Sequence, residues 1–162
     1  MPKKVHQKSI RKALINTIML ITAICLTLSV SISTYMSVKE QKELIINKLV
    51  ILSDIVAFDA AGSLVKDDRK TEEKRLKSFD KIPLVKNIHI YVIEKTSSKP
   101  VFFISFNAKK TPPVPLRVDS IKELNEPRVT NNYIELITPV LNNEQVVGYV
   151  YMRGSLESLD EF

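Results

Sequence analysis

The chain has 162 residues, with 24 Lys and Arg against 18 Asp and Glu, two His and a single Cys. Five of the basic residues (Lys3, Lys4, Lys8, Arg11, Lys12) fall in the first 12 positions, where there is no acid, so the net charge of +6 belongs to a tail rather than to a folded domain. A nearly neutral domain argues against nucleic acid as a partner, and a lone Cys25 leaves no pair for a disulfide framework.

The tail, residues 1–12, precedes residues 13–38, a run of 26 positions without a charge. A helix needs ~20 apolar residues to cross a hydrocarbon core ~30 Å thick, so this run is long enough to be a transmembrane helix. Its Thr and Ser hydroxyls can bond back to carbonyls of the preceding turn. Basic residues beside a span stay on the cytoplasmic side, which places the tail in the cytoplasm and sends residues 39–154 across the membrane. The run is longer than a signal-peptide core and lacks an Ala-x-Ala-like end, so an uncleaved anchor is expected.

Residues 39–58 continue the helix without Gly or Pro. Ile45, Leu49, Leu52 and Val56 recur at spacings of four, three and four, a short coiled-coil-like seam. Leu44, Ile46, Val50, Ile51 and Ile55 widen the apolar surface, so the helix needs two partners. The seam is assigned to a second subunit, a homodimer, and the rest to the domain's own sheet; the alternative is that all of it is intradomain core. Residues 60–63, Ala-Ala-Gly-Ser, read as a weak break, and Asp68 as the N-cap of an exposed charged helix from Arg69.

From Pro83 the pattern turns to alternation. Ile88, Ile90 and Val92 share one face of a strand, with His89, Tyr91 and Ile93 on the other. Residues 101–106 form a second strand, apolar on both faces and therefore expected at the centre of the sheet. Residues 107–116 hold three prolines and cannot join a ladder; residues 121–124 suggest a helical turn, and 127–130 extended chain. Residues 133–141 and 145–153 make a hairpin about Asn142-Asn143-Glu144. Residues 155–162 look like the start of an outgoing helix, which suggests that this is the front of a longer protein.

Catalytic material is sparse. His89 has no neighbours at metal-ligand spacing, no Gly-x-Ser-x-Gly elbow accompanies the Ser, His and Asp residues present, and no cofactor is expected. The chain itself is not expected to be an enzyme. His89, Tyr91, Tyr133, Tyr149 and Tyr151 share the strand faces opposite the long helix. They either line a pocket for a small periplasmic ligand or are covered by the 107–130 connection as a second core layer. Arg117 and Arg128, on that connection, could supply a cation for an anionic ligand.

The order anchor, long helix, short helix, paired strands, proline-rich connection, hairpin and outgoing helix resembles extracytoplasmic PAS-like sensor domains. More narrowly it resembles the eighth CHASE subclass at the front of membrane-bound GGDEF diguanylate cyclases and hybrid histidine kinases. The stretches that carry the resemblance are LSDIVAFDAAGSLVKDD, NIHIYVIEKTSSKPVFFISF and ITPVLNNEQVVGYVYMRGSLESL, with Pro139, the Asn142-Asn143-Glu144 turn and Gly148 where the family pattern has them. Lys95-Thr96-Ser97-Ser98 stands where members often carry Asp-x-x-Gly. The resemblance implies an α+β fold, a transmembrane helix running into a long helix packed on an antiparallel PAS-like sheet. It also implies a homodimeric sensor of the bacterial inner membrane that binds a ligand or periplasmic protein and drives a cytoplasmic output domain beyond this chain. The alternative function is a bitopic envelope structural protein, such as a division or secretion component with a short coiled coil.

Overall fold

The computed structural model describes residues 5–156, apart from Lys95, Lys110, Val118, Ser120, Lys122, Glu123, Asn125 and Asn131, with side chains from Ile10 onward. The chain divides into two compact units, Met1–Gln41 and Lys42–Phe162. The fold is α+β: one long N-terminal helix, a short second helix and a five-stranded antiparallel sheet. Helix α1 (Val5–Lys66) enters both units. Its N-terminal part is long and apolar enough to cross a membrane, and it is exposed throughout. Thr17, Thr22, Thr27, Ser29, Ser31 and Thr34 each donate a hydroxyl proton to the carbonyl four residues back, at 2.8–2.9 Å. These six hydroxyls are thereby satisfied within the helix itself.

No break occurs at 60–63. Gly62 is exposed, and its cost in a helix, about 1 kcal/mol relative to Ala, is offset by burial of Ala60, Ser63 and Leu64 on either side. The helix ends instead at Asp67, whose φ of 54° takes it into the left-handed region. There Asp68 N–H bonds Ser63 O at 2.9 Å and Asp67 N–H reaches Leu64 O, the paired bonds of a Schellman end. Asp68 then caps α2 (Arg69–Lys77), accepting from Thr71 N–H at 3.1 Å and from the Thr71 hydroxyl at 2.6 Å. A 3-10 turn, Ser78–Lys81, leads to the sheet.

Strands β1 (Val85–Ile93), β2 (Pro100–Asn107), β3 (Arg128–Val129), β4 (Tyr133–Asn142) and β5 (Gln145–Ser155) lie in the order β2-β1-β5-β4-β3, every neighbour antiparallel. The β4–β5 turn places Asn143 and Glu144 at φ 48° and 66°, the two left-handed residues of a type I′ hairpin. On one sheet face Ile88, Ile90, Ile134, Leu136, Val150 and Met152 meet α1. The helix offers Ile45, Leu49, Val56, Ala57, Ala60 and Leu64, and the Ser53 and Thr138 hydroxyls bond each other at 2.8 Å within that layer. Close approach is set at β5: Cβ atoms built at Gly148 and Gly154 would run into Leu64 and Leu49 respectively.

Three expectations are corrected here. The Ile45–Leu49–Leu52–Val56 stripe is not left for a second subunit: Ile45, Leu49 and Val56 are buried against the chain's own sheet, with Leu52 packed at their flank. Leu44, Ile51, Ile55 and Phe58 are the residues left exposed. Strand β2 is an edge strand, not a central one. Its apolar faces are covered by layers rather than by strands: Phe103 and Phe106 join the α1 layer, Arg69 lies 5.0 Å from the Phe103 ring, and Phe102 packs with Tyr91 behind the sheet. A bulge opposite Ile90 and Tyr91 leaves Phe103 as the extra residue of β2, so that Phe103 and Phe106, three positions apart, join the same layer. Ser155, expected to open a helix, ends β5, and its N–H bonds Leu84 O; residues 157–162 of that expected helix lie outside the described residues.

Candidate functional site

The sheet face away from α1 is the aromatic one. Antiparallel register sets His89 opposite Tyr151 and Tyr91 opposite Tyr149, while Tyr151 is also opposite Ile137 on β4. The connection from Ala108 to Pro127 crosses this face and contributes Val114, Ile121 and Leu124 to a second apolar layer with Tyr91, Ile137 and Tyr151. Leu124 O accepts from Ile137 N–H at 2.9 Å, which fastens the connection to β4 just before β3 begins. Of the two arrangements open to the sequence, the covered layer is the one formed: Tyr91 and Tyr151 are fully buried and His89 is 3% exposed.

Within that layer runs a polar chain. Arg117 N–H donates to the Tyr91 phenol at 2.8 Å, and His89 Nδ1 shares a hydrogen bond with the same hydroxyl at 3.3 Å. Burial, and next the positive charge of Arg117, hold the His89 pKa below its usual value. Burial likewise pushes the Tyr91 phenol up. The Arg117 guanidinium meets Glu135 Oε1 at 3.2 Å, and the Tyr151 hydroxyl donates to the same oxygen at 2.6 Å. Burial and that carboxylate raise the Tyr151 phenol well above its ordinary value. Arg153 stands 3.9 Å from Glu135 by its Nε and stacks over the Tyr133 ring at 3.7 Å. One carboxylate thus faces two guanidinium groups, and the Nε atoms of both arginines are buried without an acceptor within hydrogen-bond distance.

A cavity of about 470 Å³ opens beside this layer, lined by Ile93, Ser98, Lys99, Pro100, Asp119, Ile121 and Tyr149. Among the described residues no group of three His, Cys, Asp or Glu side chains is disposed to hold a metal.

Comparison with family models, curated proteins and solved structures found no match. The site therefore rests on its own geometry. The structure brings His89, Tyr91, Tyr151 and Arg117 into one network, and places Tyr133 at its Arg153 end and Tyr149 in the cavity wall. Arg128 is exposed on β3, its Cα opposite Glu135. Glu135 and Arg153 are the members that sequence reasoning missed. Their signal was present: alternation from Tyr133 and from Tyr151 puts both charges on the aromatic face of apolar strands, where a charge needs a partner.

Proposed function

We propose that this chain is the input region of a bacterial inner-membrane signalling protein. Residues 1–12 stay in the cytoplasm, residues 13–38 cross the membrane, and the unit from Lys42 onward is a PAS-like sensor in the periplasm. The observation that carries this reading is that one helix element supplies both the uncharged run and the face buried on the sheet. Any change in how the sheet holds Leu49 and Val56 acts on the same helix that enters the bilayer. Support for PAS-likeness comes from architecture: an antiparallel sheet backed by a long helix, with a connection folded over its other face.

The ligand class follows from the polar chain. A small anion competing with Glu135 for Arg117 and Arg153 finds donors already aimed at a negative group, two of them unused. Taking Arg117 from Glu135 loosens the connection, whose backbone is tied through Arg117 N–H to Tyr91 on β1. A ligand favouring the loosened arrangement shifts the population of the sheet against α1, and an output module outside this chain, a GGDEF cyclase or a histidine kinase, reads that shift.

The test uses the whole chain. Alkaline phosphatase joined after Phe162 is expected to be active, and a panel of small carboxylates and phosphates to include members that raise the melting temperature in micelles, an effect lost in Arg117→Met. A cytosolic C-terminus overturns the topology. A flat response across the panel overturns the anionic ligand.

A further inference from the structure

The exposed side of α1 carries its own repeat. Leu44, Ile51, Phe58 and Val65 are seven residues apart, and Lys48, Ile55 and Gly62 interleave four residues after the first three of them. This is an a/d heptad with Leu44, Ile51, Phe58 and Val65 at d and Lys48, Ile55 and Gly62 at a, and every one of these positions is exposed. Of the residues that meet the sheet, Leu49, Ser53, Val56, Ala57, Ala60 and Leu64 fall at the b, c and f positions of the same frame, and Ile45 at e. Phe58 is 83% exposed, and nothing stands within 4 Å of a Cβ built on Gly62, one turn further on.

We propose that this stripe is the surface on which a second copy of the chain docks, α1 against α1, parallel and in register. The occupant follows from three features. A 3.5-residue repeat is complementary to itself, and an uncharged run at residues 13–38 holding each copy in one bilayer makes the pairing parallel. Phe58 from one copy fills the open space over Gly62 of the other as knob into hole. The five apolar side chains of the stripe offer on the order of 600 Å² per copy, enough for both copies together to exceed the ~1,000 Å² that a specific interface needs. Lys48, the one charge in the seam, is the kind of a-position residue that fixes register and two strands at some cost. The pairing needs no ligand and holds whether or not the domain is a sensor.

Parallel register also sets Asp54, at g, beside Asp59, at e, of the other copy, a like-charged contact. This gives a test that no other occupant passes. In full-length chain with Cys25→Ala, reconstituted in bilayers, single cysteines at Ile51, Ile55 and Phe58 are expected to cross-link copies at least about tenfold faster under mild oxidation than one at Glu144 in the β4–β5 turn. Asp54→Lys, which makes the flanking contact attractive, is expected to strengthen self-association severalfold. Ile55→Glu with Phe58→Glu is expected to abolish it with the melting of the sheet unit unchanged. Cross-linking no faster at the seam than at Glu144, or Asp54→Lys weakening association, overturns the proposal. A seam that instead binds a different protein or lipid shows as intact monomers with these same side chains protected.

Discussion

Gly148→Ala is the substitution on which the packing of α1 against the sheet can be measured. The new Cβ would lie 2.2 Å from the Tyr91 carbonyl oxygen and 2.6 Å from Leu64 Cδ1. Leu64 can rotate; a ladder carbonyl in β1 cannot. Since a carbon and a carbonyl oxygen meet comfortably at ~3.3 Å, β1 and β5 must part by about 1 Å at the Val92–Gly148 pair. Overpacking of this kind costs about 1–3 kcal/mol and each impaired ladder bond about 1 kcal/mol more, so the expected loss is about 3 kcal/mol or greater. For a unit of this size that lowers the melting temperature by roughly 12 °C. Gly154→Ala meets the Leu49 methyls at 2.9 and 3.0 Å and the Leu84 carbonyl at 3.2 Å, and is expected to be milder. Gly62→Ala meets nothing and gains helix propensity, a rise of about 0.5–1 kcal/mol. The assay is thermal unfolding of the full chain in dilute micelles, followed by near-ultraviolet tyrosine dichroism. The chain has no Trp, and Tyr91, Tyr133, Tyr149 and Tyr151 all report on the sheet. A Gly148→Ala variant melting within about 3 °C of the parent would refute the close approach, whatever the order of the other two.

Three further outcomes test the core and the polar chain. Leu49→Ala is expected to cost about 2–5 kcal/mol and Ile51→Ala in dilute micelles under about 0.5 kcal/mol, because Leu49 is fully buried and Ile51 exposed; urea unfolding that reverses the two would turn the helix over. Tyr151→Phe removes a hydroxyl donor 2.6 Å from a buried carboxylate and is expected to cost about 2 kcal/mol in the same assay, equal stability being the result against it. The depressed pKa of His89 means that the folded chain binds its proton less readily than the unfolded one. Its contribution to stability is then complete above the ordinary histidine value, about 6.5, and fades as pH falls from there toward the folded value. Melting curves below about pH 6.5 should therefore fall more steeply for the parent than for His89→Gln, and parallel slopes would contradict the buried neutral ring.

Much of the fold was legible in alternation and punctuation. The Asp68 cap, the faces of β1, the β4–β5 hairpin and the unpaired proline-rich connection all follow from local chemistry that the rest of the chain does not override. The position of β2 was not legible, because Val101-Phe102-Phe103-Ile104 states only that both faces are covered, and a helix and a loop cover them as well as flanking strands would. The candidate site was legible as a set of side chains but not as a closed layer. Whether the connection lies over the aromatic face depends on Arg117 reaching Tyr91 and Glu135 across 26 and 18 positions of sequence, which no local pattern encodes.

The two apolar sides of α1 differ in the size of the residues they carry. Ile45, Leu49, Ser53, Val56, Ala60 and Leu64 form the stripe buried on the sheet. The buried face also carries Ala57, and Ser53, Ala57 and Ala60 are small enough for the backbones to come close, where a Phe58 would hold them apart. The exposed set from Leu44 to Val65 keeps a strict seven-residue step, which on a straight helix drifts ~20° per heptad and stays in line only when two helices wind about each other. Apolar spacing alone does not separate the two sides, because Ile45, Leu49, Leu52 and Val56 also recur at four, three and four. Burial and residue size assign Leu49 to the sheet, and the seven-residue step of the exposed set is what the proposed pairing of two α1 helices requires.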